Sequence, residues 1–148
     1  MKTHPYLRAF LAGVFVPTLI LPLMLTGFIL LRLVLHAPFP IERGLVFPMA
    51  LVPLLWGLWN MLWLASHGRT HLGTGTHGAL LPFLLVPGGT AVGLSLGVLS
   101  LESSHAIWFG AVIVPYVFAA TGFAVALIIY YLVWKYIVAF VNRELGIA

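Results

Sequence analysis

The charged residues of this chain stand at positions 2, 8, 32, 42, 43, 69, 102, 135, 143 and 144, and nearly everything between them is apolar. Four runs of more than twenty residues contain no Asp, Glu, Lys or Arg: residues 9 to 31, 44 to 68, 70 to 101 and 103 to 134. Crossing a bilayer takes about 20 mostly apolar residues. Each run, trimmed of its polar ends, supplies one helix, and the expected spans are residues 10 to 35, 45 to 66, 79 to 100 and 107 to about 140. The last outruns the membrane and gathers Tyr130, Tyr131, Trp134 and Tyr136 around Lys135, the composition of an interfacial belt.

Hydrocarbon cannot satisfy a free backbone N–H or C=O, so segments of this kind cross as helices or as strands of a closed barrel. Strands of a barrel alternate apolar and polar residues, and these runs do not. The expected fold class is all-α: one integral membrane domain, residues 1–148, an antiparallel bundle of four transmembrane helices joined by short loops. The first run follows Lys2 and Arg8 as a secretory signal would, yet it exceeds the usual apolar core of about 7 to 15 residues and is expected to remain as a helix.

Composition agrees with that reading. The chain is 62% hydrophobic and 7% charged, too little charge to cover a surface facing water. With the N-terminus inside, Lys2, Arg8, Arg69, Lys135 and Arg143 fall on the inner side, while Arg32 and Arg43 fall outside. The positive-inside bias therefore predicts both termini in the cytoplasm. No basic cluster suited to gripping phosphates is present, so nucleic acid is not expected as a partner. Cysteine is absent, which removes disulfides and thiolate chemistry.

Prolines recur with a rhythm. Pro17, Pro48, Pro82 and Pro115 lie 31, 34 and 33 residues apart, and the first three are each followed by a second proline five residues on. One explanation is an internal repeat; the other is that a span plus a short loop has about that length. Pro48 and Pro82 are expected in first helical turns, where a missing N–H costs little. Pro17, Pro22, Pro53, Pro87 and Pro115 are expected deeper, each freeing a carbonyl that Thr18 or Thr121 could serve. In the third segment Gly89, Gly93 and Gly97 recur at steps of four on one helical stripe, which predicts close approach of a neighbouring helix.

Candidate chemistry is sparse. No ionisable residue stands deep in a span, which counts against coupled transport. Trp56, Asn60 and Trp63 share one helical face with Trp59 beside it. Asn60 is expected to bond across to another helix, and the tryptophans to form a belt or a pocket for a quinone, pigment or lipid tail. His67, His71 and His77 crowd one loop and are the only metal-ligand candidates, without an acidic residue among them. His36 and His105 fall on the opposite rim, where a tetrapyrrole could be ligated. Glu42 also lies on that rim. Glu102, Ser103, Ser104 and His105 adjoin there as well, but without Asp they make no nucleophilic triad, and Ser104 is expected to cap a helix. The expected function is a small non-catalytic membrane subunit that packs on a larger membrane protein or on itself. A binder of a cofactor or lipid stands second, and a small transporter or membrane enzyme third.

Overall fold

The computed structural model describes residues 4–36 and 47–147. It is predominantly helical. Helix α1 (Pro5–Leu33) starts on a proline and runs through Pro17 and Pro22. A single turn, α2 (Phe47–Ala50), leads into α3 (Val52–Thr70). The short α4 (Thr74–Ala79) bends into α5 (Pro82–Ser95). Three strands follow, β1 (Leu99–Leu101), β2 (His105–Trp108) and β3 (Val112–Pro115), and then α6 (Tyr116–Val133), a π turn over Trp134–Val138 and α7 (Ala139–Glu144).

Among the described residues three helical segments are long and apolar enough to cross a membrane: Pro5–Leu33, Thr74–Ser95 and Tyr116–Glu144, with mean hydropathies of 2.4, 1.5 and 2.1. A membrane location is consistent with them. Helix α3 is not among these three, since Asn60 and the polar residues 66–69 dilute its aliphatic content.

The bundle of helices alone needs correction. Residues expected to end the third span and begin the fourth form an antiparallel sheet in the order β1-β2-β3, pairing Leu99 with Trp108 and Trp108 with Val112. The cause is local. The stretch "HAIWFGAVIVP" is rich in β-branched and aromatic residues, and Phe109 and Gly110, both at positive φ, turn it back on itself. Helix α5 closes with Gly97 at φ +65°, and the amides of Gly97 and Val98 donate to the carbonyls of Leu94 and Gly93. That is a Schellman cap, which wants a residue without Cβ at the left-handed position. Gly97→Ala is therefore expected to speed amide exchange at Val98 about fivefold, equivalent to about 1 kcal/mol, as read by hydrogen exchange.

Two expected deep prolines also move. Pro53 falls in the first turn of α3 and Pro115 precedes α6 at the end of β3, so neither interrupts a helix. Pro17, Pro22 and Pro87 do lie within helices. Thr18 and Thr121 donate to Val14 and Val117, four residues back, and not to the carbonyls that prolines free.

The core sits at one end of the molecule. Helices α1 and α3 cross antiparallel where Gly13 meets the backbone of Trp56 and Gly57. At the same end Trp134 and Val138 of the π turn pack on Leu81, Val16 and Trp56. Glycines set these separations: a Cβ on Gly57 would strike the ring of Phe10, and one on Gly78 the indole of Trp134. Close backbone approach of this kind is what holds helices together where the surroundings are as apolar as the helices themselves. Both ends of the chain belong to this core, as the Arg8 guanidinium donates to the Leu145 carbonyl at 3.2 Å.

Candidate functional site

Asn60 binds this end together. Its side-chain amide is fully buried and donates to the Ala9 carbonyl at 2.7 Å and to Asn142 Oδ1 at 2.8 Å, and Asn142 returns a bond to Asn60 Oδ1 at 3.2 Å. Three elements, α1, α3 and α7, are joined through one reciprocal amide pair. Asn142 is the partner that sequence reasoning did not name, because it stands 82 residues away in a segment that reads as an interfacial tail.

The tryptophans of α3 face this core in order. Trp63 donates to the Leu72 carbonyl at 3.2 Å, and His67 stacks on it with ring centroids 4.8 Å apart. Trp59 donates to the His77 carbonyl at 2.9 Å and lies 4.9 Å from the His77 ring. Trp56 closes the series, 5.1 Å from Tyr130 and 5.4 Å from Trp134. The indole nitrogens of Trp56 and Trp134 and Nδ1 of His77 are buried without a hydrogen-bond partner among the described residues.

On the far side of Trp56 the helices part. A cleft of about 190 Å³ lies between the middle of α1, the start of α3 and the end of α6. Pro17 and Ile20, Pro53 and Trp56, and Ile129 and Tyr130 line it from the three helices, so the wall is almost wholly hydrocarbon. An apolar space of this size is of the order that stays dry and admits a small hydrocarbon.

The other expected site residues do not join this place. His67 and His71 are exposed, His71 capping α3 with φ +50°, while His77 is buried against Trp59. Among the described residues no three His, Cys, Asp or Glu side chains converge as a metal would need. His36 follows the distal end of α1. His105 is in β2 with Nδ1 3.1 Å from Ser104 Oγ, and neither His36 nor His105 lines the cleft. Ser104 belongs to the turn between β1 and β2, where the Glu102 amide donates to the His105 carbonyl, and it caps no helix. Glu42 lies outside the described residues.

The glycine stripe divides. A Cβ on Gly89 would meet nothing within 4 Å, Gly93 faces Leu99 of the following strand at 3.2 Å, and Gly97 lies past the helix. The glycines that do pack helices within the described chain are Gly13, Gly57, Gly75 and Gly78. A usable signal was the small pair Ala9 and Gly13, four residues apart on α1. Comparison of the chain with protein-family models, with curated proteins and with solved structures finds no match.

Proposed function

We propose that the chain is a small non-catalytic integral membrane subunit of four spans, with both ends on the cytoplasmic side, that packs against a larger membrane protein. The observation that supports this best is how little of α5 and α6 the described residues cover. Helix α6 has no buried residue over Tyr116–Val133, and α5 buries Pro82 and Gly93 alone. The two helices touch through an edge-to-face pair, Phe83 and Phe123, with centroids 5.0 Å apart. Gly88 and Gly89 leave bare backbone on α5 with open space beyond. Lipid tails gain little from a glycine face, whereas a second helix gains close van der Waals contact. The partner surface is accordingly a transmembrane helix of another protein, seated on Gly88 and Gly89.

The fourth span is α3, which runs antiparallel along α1 and keeps Asn60, the polar side chain in its middle, bonded inside. Orientation rests on charge. Arg8, Arg69, Lys135 and Arg143 belong to the elements around the core end, and Arg32 stands near the distal end of α1. The bias of Lys and Arg toward the cytoplasmic face puts the core end there.

Purification in a mild detergent tests the docking. The chain should migrate with one larger membrane protein, and Gly89→Leu should lower the recovered complex about tenfold while leaving its own helicity unchanged. A chain that migrates alone, and is indifferent to Gly89→Leu, is not this kind of subunit.

A further inference from the structure

We infer that the cleft between α1, α3 and α6 is a binding site for the hydrocarbon tail of a membrane lipid, held as a resident ligand. This goes beyond the docking reading and rests only on its placement of the chain in a membrane. Four physical features select the occupant. The volume, about 190 Å³, is far too small for a helix, whose diameter with side chains is about 10 to 12 Å, and suits a segment of chain or a ring. The lining excludes water, which needs two to four polar partners; its polar side chains are Trp56 and Tyr130, and the Trp56 indole nitrogen is buried out of reach.

The third feature is depth. Pro17 and Ile20 stand about 20 Å along the helix axis from Pro5, so the mouth opens at the level of acyl chains rather than headgroups. Fourth, the walls hold their places. Pro17 is buried in the core beside Val16, and Trp56 is 5% exposed and clamped between Tyr130 and Trp134. Ile20 and Ile129, by contrast, are about half exposed and border the opening, at 48% and 52%. A tail entering sideways between Ile20 and Ile129 would end against the Trp56 and Tyr130 rings. Phospholipid acyl chains and prenyl chains share this chemistry, and mass separates the two.

The experiment is native mass spectrometry of the detergent-purified chain, followed by solvent extraction. One tail-bearing molecule per chain should persist through detergent exchange, its extracted mass and absorption identifying it as a phospholipid or a prenyl compound. Filling the mouth with Ile20→Phe and Ile129→Phe together should lower occupancy at least tenfold, whereas Leu19→Phe with Ile128→Phe, exposed positions outside the lining, should not. Should the filled variant fail to fold, the native chain still decides. Phospholipid brominated at mid-chain should quench its tryptophan fluorescence to a plateau at one molecule per chain. No retained adduct, equal retention in both double variants, or quenching that rises linearly with lipid fraction overturns the site; a partner side chain would then be its occupant.

Discussion

Replacing Gly78 by alanine is expected to cost about 3 kcal/mol, enough to separate α4 from the π turn at temperatures where the native chain is intact. The added Cβ would fall within the Trp134 indole at its Cγ, and Trp134 is fully buried with no space to retreat. Gly13→Ala should behave alike at the crossing of α1 and α3, where the Cβ would lie 2.5 Å from the Trp56 carbonyl and 2.9 Å from Gly57 Cα. Those are backbone atoms, and relief requires the helices to move apart. Gly89→Ala is the comparison: with nothing within 4 Å it should be neutral or stabilising by about 0.5 to 1 kcal/mol, the usual helix preference of alanine over glycine. Unfolding in mixed micelles with a denaturing detergent reads all three. Equal midpoints for Gly78→Ala and Gly89→Ala would contradict the packing described here.

Asn60→Leu is expected to cost about 1 to 3 kcal/mol, mainly because it strands Asn142 in a dry interior with an amide that nothing else can satisfy. The Ala9 carbonyl suffers less, as it lies within α1 and retains its helical bond. That asymmetry makes a sharper test than the single variant. Asn60→Leu with Asn142→Leu removes both polar groups and should recover most of the loss, since two apolar side chains of similar size replace two amides bonded only to one another and to one carbonyl. Measured as a double-mutant cycle in the same micelles, the coupling should be favourable by about 1 kcal/mol or more. Additive losses would mean that the pair does not act as a unit.

Much of this architecture was legible from charge spacing. Long runs without charge predict segments able to cross hydrocarbon, and Pro5–Leu33, Thr74–Ser95 and Tyr116–Glu144 answer to that. Asn60 was legible too, because a lone amide inside an apolar helix must bond across to something. The sheet was missed because apolar content says nothing about strand or helix. Residues 105–115 could have been read from their β-branched residues and the Phe109-Gly110 turn, but the apolar run 106–115 reads equally well as the start of a helix. The spacing of the glycines did not say which of them the chain itself contacts. Gly89, Gly93 and Gly97 share a spacing, but Gly97 ends the helix and Gly93 meets a strand, while the unspaced Gly75 and Gly78 carry close contacts.

By itself, then, the order of residues determined that the chain carries apolar helical segments long enough to cross a membrane, because transfer into hydrocarbon sums over composition and needs no knowledge of neighbours. Only the tertiary structure decided which glycines touch, that Asn142 answers Asn60, and that α1, α3 and α6 part beyond Trp56 to leave a cleft. Those are short-range matters between surfaces far apart in the chain. Packing energy falls away within about an ångström of misfit, so no local pattern along one segment can state what lies opposite it.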